Sequence, residues 1–318
     1  MKWTICWETI INALFTLCIS GNGFYFYPHK VKILGVRVNQ PVTKNVFLKK
    51  NNLVGTSETI RPLSSKTSSD SELYWNQWLA GLIDGDGSLL VSKAGYSSCE
   101  ITMSLADEHA LYQIKQKLGG SIKKRAGVKA IRYRLHHKEG MIALIERING
   151  NIRHSARLEQ LKKVCLILNI PILPPKVLSI QNGWFSGFFD ADGSISYSFK
   201  NNNPQLTISV SNKLEENIHI FKLIFGGNIY FDKSGYGNFK WTIQSHTDIN
   251  IFLNYIKTIP SRSHKRQRLF LVEQFYELKK IQAYKSSGSG YADSVPLAAE
   301  SAIYKSWLSF EKKWKERG

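Results

Sequence analysis

Two segments, residues 78–88 (WLAGLIDGDGS) and residues 184–194 (WFSGFFDADGS), match column by column at a separation of 106 residues. Each is a run of helix formers that ends in Asp-Gly-Asp-Gly or Asp-Ala-Asp-Gly. Similarity continues beyond the motif. Thr102 in EITMS aligns with Thr207 in QLTIS, and Gly119-Gly120-Ser-Ile aligns with Gly226-Gly227-Asn-Ile. A period of about 100 residues is too long for a solenoid repeat, so the duplication predicts two α/β units related by pseudo-twofold symmetry.

Within each unit the coarse order reads helix, strand, strand, helix, strand, strand, helix. This is an α+β fold of duplicated αββαββα units, with the later helical segments expected around 141–148 and 249–259. Strict alternation marks several strands. Ile195, Tyr197 and Phe199 face one way, while Ser194, Ser196, Ser198 and Lys200 face the other. Arg132, Arg134 and His136 alternate with Ile131, Tyr133 and Leu135, and Lys240, Thr242 and Gln244 with Trp241 and Ile243. Period-two alternation predicts sheets with one packed face and one open polar face.

Charge says what the open faces meet. The 318-residue chain carries 43 Lys plus Arg against 24 Asp plus Glu, a formal charge of +19. Such an excess calls for a polyanion, either nucleic acid or an acidic membrane surface. Sheets lined with Arg, Lys, Ser, Thr and Gln favour nucleic acid, because these side chains bond phosphates and base edges. The candidate contacts are Ser92, Lys123, Arg125, Arg132, Arg134 and His136 in the first unit. Ser196, Ser198, Lys200, Lys240, Thr242 and Gln244 are the candidates in the second. With 43% hydrophobic residues the chain has enough apolar material for a sizeable core. Cys6, Cys18, Cys99 and Cys165 form no C-x-x-C pair, which argues against a disulfide framework or structural zinc and fits a reducing compartment. The early apolar run at 5–20 is broken by Glu8 and Asn12, too short and too polar for a membrane span or an export signal. No membrane association is expected, and the absence of a P-loop removes the expectation of ATP dependence.

The motif itself carries the chemistry. Gly81 and Gly187 lie inside their helices, where glycine costs about 1 kcal/mol relative to alanine, and this predicts close approach of two backbones. Packed as a pair, the helices bring Asp86 and Asp192 together at two C-terminal, partially negative ends. Carboxylates so placed repel unless a cation neutralises them, and an all-oxygen set selects a hard divalent ion such as Mg²⁺, with Mn²⁺ as a substitute. A twofold-related pair suits hydrolysis of both strands of a duplex. Asp84 and Asp190, two residues earlier, are expected to hold structural hydrogen bonds.

The two motifs resemble the signatures of the LAGLIDADG homing endonucleases in their single-chain, two-motif, intron-encoded form. The resemblance covers roughly residues 73–281. It implies two saddle-shaped antiparallel sheets along the DNA major groove. It also implies Mg²⁺-dependent double-strand cleavage of a long target, with short 3′ overhangs. By position it makes Asp86 and Asp192 catalytic metal ligands, with the backbone carbonyls of Gly85 and Ala191 also touching metal. It makes Asp107 and Asn212 polar groups supporting the site, and Lys265 a basic residue near the attacking water. Aligning residues 153–157 (RHSAR) with 262–266 (RSHKR) leaves Ala156 opposite Lys265, an asymmetry between the units.

The expected organisation is an N-terminal extension over 1–72 ending in a Ser/Thr-rich linker at 56–71, a first unit over 73–176, and a second over 177–284. A Ser/Gly linker and an amphipathic helix over 285–318 complete it, with Ile303, Trp307, Phe310 and Trp314 on the apolar side. The expected protein is a monomer of organellar origin, mitochondrial in preference to chloroplast, acting on double-stranded DNA at an intron insertion site. Two rivals share the architecture: a maturase that stabilises a group I intron RNA, either instead of cleaving DNA or with both activities in one chain, and a DNA-binding regulator without catalysis. Residues 119–179, with 13 basic residues against 3 acidic ones, would serve either nucleic acid.

Overall fold

The computed structural model describes residues 68–285 and 302–317. Contacts divide the chain into Met1–Pro62 and Leu63–Gly318, and the description concerns the second of these. The apolar run at 5–20, nearly all of the 1–72 extension and most of the 285–296 linker lie outside the described residues. The end of the 56–71 linker does not, and here the expectation is corrected: helix begins at Ser68.

The first unit runs α1 (Ser68–Asp86), β1 (Gly87–Val91), β2 (Ser97–Ser104), a 3-10 turn (Leu105–Asp107), α2 (Glu108–Leu118), β3 (Ser121–Lys124), β4 (Ala130–Leu135), α3 (Lys138–Ile148) and α4 (Ser155–Leu168). The second runs α5 (Trp184–Asp192), β5 (Gly193–Lys200), β6 (Asn203–Asn212), α6 (Glu216–Phe225), β7 (Asn228–Asp232), β8 (Asn238–Ile243), α7 (His246–Thr258), α8 (Lys265–Leu269) and α9 (Val272–Lys280). Both sheets are antiparallel and four-stranded, in the orders β1-β2-β4-β3 and β5-β6-β8-β7. The fold is therefore α+β with two αββαββα units, as the duplicated pattern implies.

The alternation works as expected on the packed faces. Cys99, Ile101 and Met103 of β2 and Ile131, Tyr133 and Leu135 of β4 are buried beneath helices. The two cores differ in texture. In the second unit Trp184 stacks on Phe188 at 4.7 Å, and Phe221 meets Phe185 and Trp241 at 5.1 Å each. The first unit fills the same role chiefly with Leu79, Leu82, Ile83, Leu111, Ile114 and Ile145.

The strand equivalences differ from those that the sequence alignment suggests. Ile101 stands opposite Gly87, and Val210 opposite Gly193, so these two are equivalent residues. Thr207 pairs with Ser196 and takes the place of Ser98 opposite Leu90, not that of Thr102. The reason is hairpin length. Strands β5 and β6 extend to an Asn201-Asn202 turn in which both residues have positive φ (50° and 57°), the geometry of a two-residue hairpin that matches strand twist.

Helix α10 (Ala302–Glu316) covers the packed side of β5. Trp307, Phe310 and Trp314 are buried and lie 5.3–5.9 Å from the ring of Tyr197, whose hydroxyl donates to Glu311. Ile303, expected on the same side, is half exposed, and its neighbour Tyr304 packs against the core in that turn instead. No helix among the described residues is long and apolar enough to cross a membrane.

Candidate active site

Helices α1 and α5 pack against each other with their backbones in contact. A Cβ built on Gly81 would lie 2.1 Å from the Trp184 carbonyl oxygen, and one on Gly187 would lie 1.9 Å from that of Trp78. Only hydrogen fits at either position.

Crossed hydrogen bonds lock the pair. Trp78 Nε1 donates to Asp190 Oδ2 at 2.8 Å, and Trp184 Nε1 donates to Asp84 Oδ2 at 2.7 Å. The same carboxylates hold the segments that follow each sheet. The Arg153 N–H donates to Asp84 at 2.8 Å and the Arg262 N–H to Asp190 at 2.7 Å, while Ser261 and Ser263 hydroxyls also donate to Asp190. Asp84 and Asp190 are thus buried structural acceptors. Burial is the main force on Asp84 and pushes its pKa up to about 7, against opposing hydrogen bonds from Trp184 and Arg153. A folded-state pKa above the unfolded value of 3.8 means that folding favours the protonated acid. Its contribution to stability is fully present below the unfolded value and declines as pH rises through about 7. Asp84→Asn is expected to make the loss of stability over that range shallower, measured as urea midpoints against pH. An unchanged slope would assign the titration to other groups.

Both helices end without a basic residue in the last turn, yet each end carries acids where the helix dipole is already negative. The compensating cations come from elsewhere. Lys265 Nζ donates to the carbonyls of Phe189 (3.1 Å), Asp190 (2.6 Å) and Ala191 (2.8 Å), closing the end of α5. In the first unit Arg157 Nε donates to the Ile83 carbonyl at 3.2 Å, the position that corresponds to Phe189. Arg153 and Arg262 use equivalent backbone N–H groups, so Ala156 does stand opposite Lys265. The longer side chain one residue on supplies the missing cation. Sequence reasoning missed Arg157, and the available signal was a basic residue beside the gap in the aligned segment.

Asp86 and Asp192 lie at the convergent ends. A Cβ on Gly85 would lie only 2.3 Å from the Ala191 Cβ, so this glycine makes room for the Ala191 methyl, and the Asp192 carboxylate lies just beyond, its Oδ2 3.4 Å from the same point. Burial, then the neighbouring Asp192 charge, pushes the Asp86 pKa up to about 7, with Lys265 and Arg157 pulling it down. Asp192 is raised as well, mainly by burial, and Lys265 opposes the shift most strongly. Burial also lowers the Lys265 pKa, against the attraction of four nearby aspartates.

The remaining predicted groups divide. Asn212 Nδ2 lies 3.5 Å from Asp192 Oδ2, and its Oδ1 accepts from the Leu214 N–H and from Asn217. Asp107 is instead committed across the unit boundary: its Oδ1 accepts from the His264 N–H at 2.6 Å and pairs with His264 Nδ1 at 2.8 Å. Asp107 and Asn212 do not occupy equivalent places, because one lies in the 3-10 turn after β2 and the other ends β6. Asp107 thereby fixes His264, the residue beside Lys265, which was also missed from sequence.

An oxygen set of two paired carboxylates with raised pKa values, next to backbone carbonyls, fits a hard divalent ion. Asp86, Asp192 and the Gly85 carbonyl would hold it. The Ala191 carbonyl is already engaged by Lys265. Among the described residues no three His, Cys, Asp or Glu side chains gather as a metal cluster.

Of the candidate nucleic-acid contacts, Lys123, Arg125, Arg132, Arg134 and His136 line one basic hollow of the first sheet together with Ser121 and Lys124. Ser196, Ser198, Lys200 and Gln244 are exposed in the second, with Lys240 half-buried. One expectation is corrected. Thr242 is only 8% exposed, shielded between Ser209 and Asn228 on the neighbouring strands. Ser92 is exposed in the β1–β2 turn, where its hydroxyl accepts the Tyr96 N–H.

The family model for "LAGLIDADG endonuclease" matches residues 79–168 and again 185–276, once per unit. The chain belongs to the LAGLIDADG endonuclease family. It is 46% identical over 322 aligned residues to the intron-encoded RNA maturase bI4 of Saccharomyces cerevisiae, across 91% of this chain and 49% of that protein. It is 45% identical to the probable intron-encoded endonuclease aI2 of Debaryomyces hansenii, across 77% of this chain and 38% of that one. With the intron-encoded DNA endonuclease ai2a of Dictyostelium discoideum it shares 32% identity over 77% of this chain and 76% of the relative. The chain spans about half or less of the first two relatives' length. Among solved LAGLIDADG structures, I-LtrWI bound to target DNA aligns over 77% of this chain and 98% of its own, with TM-score 0.54 and 14% identity. I-GzeII in complex with its DNA target aligns over 74% and 97%, with TM-score 0.51 and 15% identity. At such identity the likeness concerns the LAGLIDADG fold.

Proposed function

We propose that this chain is a site-specific homing endonuclease that makes a Mg²⁺-dependent double-strand break in DNA at an intron insertion site. The observation that carries the reading is the meeting of Asp86 and Asp192 at two helix ends, each end faced by a cation from its own unit. A divalent ion held there would polarise the scissile phosphate and offset charge developing on it. The chain's own groups do the rest. Asp86 and Asp192 present the anionic oxygens, and Lys265 and Arg157 neutralise the helix ends. The open faces of the two sheets hold the duplex by phosphate and base contacts. Because both half-sites lie in one polypeptide, the working form is proposed to be a monomer. The intron-encoded relatives support an organellar, mitochondrial origin.

The test is incubation of purified protein with Mg²⁺ and a plasmid carrying the intron-free insertion site, beside the Asp86→Asn/Asp192→Asn double variant. A single double-strand break made only by the wild type supports the reading, and binding without cleavage under several divalent metals overturns it. Lys265→Ala is expected to slow cleavage at least tenfold while leaving target affinity nearly unchanged, since its ammonium faces helix carbonyls. A large affinity loss at fixed salt would make Lys265 a phosphate contact instead.

A second reading is group I intron maturase activity, favoured by the 46% identity to the bI4 RNA maturase over 91% of this chain. Acceleration of self-splicing in a purified intron transcript, retained by the double Asp variant, would establish it as an independent activity.

A further inference from the structure

The open faces of the two sheets are built from different chemistry, and in each the exposed groups are held in place by a neighbour. In the first unit Glu100 stands opposite Arg134 in the β2–β4 ladder, and Arg132 follows two residues away. Arg134 Nε donates to Glu100 Oε1 at 2.6 Å, and a second guanidinium nitrogen bonds the same oxygen. Arg132 Nη1 lies 3.3 Å from Glu100 Oε2. The carboxylate is 14% exposed, while the Arg132 and Arg134 side chains are 37% and 56% exposed. One sunken acid therefore orients two outward guanidinium forks side by side.

The second unit has no acid at this place: Ser209 and Thr242 replace Glu100 and Arg134, and Lys240 takes the position of Arg132. Gln205 Nε2 donates to Gln244 Oε1 at 3.1 Å, and Gln244 Nε2 donates to Thr207 Oγ1 at 3.1 Å. Each end of the Gln244 amide spends one hydrogen bond on the sheet. One lone pair and one proton remain for a ligand. A guanidinium fork matches the O6 and N7 acceptors of guanine, and an amide matches the N6 donor and N7 acceptor of adenine. Each match depends on the group being held at a fixed angle, which Glu100 and Thr207 provide.

Building on the endonuclease reading, we propose that Glu100 sets guanine preference in the first unit by orienting Arg132 and Arg134, and that Gln205 and Thr207 set adenine preference in the second by orienting Gln244. These three side chains act as positioning residues for base readout.

The experiment is selection by the full chain from a duplex pool randomised over roughly 20 base pairs, about two turns, without divalent metal so that bound duplexes stay intact. The expected consensus has guanine enriched in one half and adenine in the other. Arg134→Lys keeps the charge and loses the fork. It is expected to reduce guanine preference about tenfold or more in one half only. Glu100→Gln should act on that same half, and Gln244→Ala on adenine in the other. A palindromic consensus, or an Arg134→Lys change that is equal in both halves or absent from both, overturns this inference and leaves the endonuclease reading standing. Failure to retain any duplex overturns the DNA reading and this inference with it.

Discussion

Asp192→Asn is expected to reduce cleavage of both strands by at least 10³-fold, with target binding unchanged or slightly tighter. The carboxylate is half-buried at the end of α5, beside Gly85 of the opposite motif and within 3.5 Å of Asn212 Nδ2. Its pKa is raised by burial, so without a cation the charged form is held at a cost. Replacing it with an amide removes that cost together with half of the anionic oxygen set, so folding is preserved while the affinity for a divalent ion falls. Because Asp86 and Asp192 face each other, the ion held by one depends on the other, and the effects of Asp86→Asn and Asp192→Asn should not add. Conversion of supercoiled plasmid to nicked and linear forms reads both strands in one experiment. Linear product formed at a rate within tenfold of wild type would remove Asp192 from the chemistry.

Gly187→Ala is expected to destabilise the protein by about 4 kcal/mol or more, at the extreme of single substitutions. The new methyl would lie 1.9 Å from the Trp78 carbonyl oxygen and 2.8 Å from the Leu82 nitrogen. Both are backbone atoms of a buried helix, so no rotamer change relieves the clash and the helices must separate. Separation also stretches the bonds from Trp78 to Asp190 and from Trp184 to Asp84, leaving buried polar groups without partners. Urea denaturation followed by tryptophan fluorescence measures the loss. A midpoint within 1 kcal/mol of wild type, at an unchanged m-value, would mean that the pair tolerates a wider spacing.

Much of the architecture was legible in the residues because it depends on local periodicity. Period-two alternation at 131–136 and 194–200 identifies strands and their packed faces, and the mid-helix glycines alone point to a backbone contact. The duplicated acidic motif places Asp86 and Asp192 at matching helix ends. Other features escape because they depend on distances set by the whole fold. The Asn201-Asn202 turn lengthens one hairpin and displaces the equivalences on β2 and β6, so Thr207 corresponds to Ser98 rather than Thr102. Alternation places Thr242 on the open face, and only the packing of neighbouring strands closes over it.

The site divides in the same way. From sequence alone come the paired carboxylates and the structural role of Asp84 and Asp190, which follow from residue type at a given place in a repeated pattern. Lys265 came instead from the family resemblance, since the repeat puts Ala156 opposite it. Tertiary structure alone decides that Arg157 reaches the Ile83 carbonyl, that Asp107 spends its charge on His264 of the other unit, and that Glu100 lies under Arg132 and Arg134. In each case the partners are far apart in the chain or separated by a strand crossing. Their meeting is set by side-chain reach and sheet register, which local sequence does not encode.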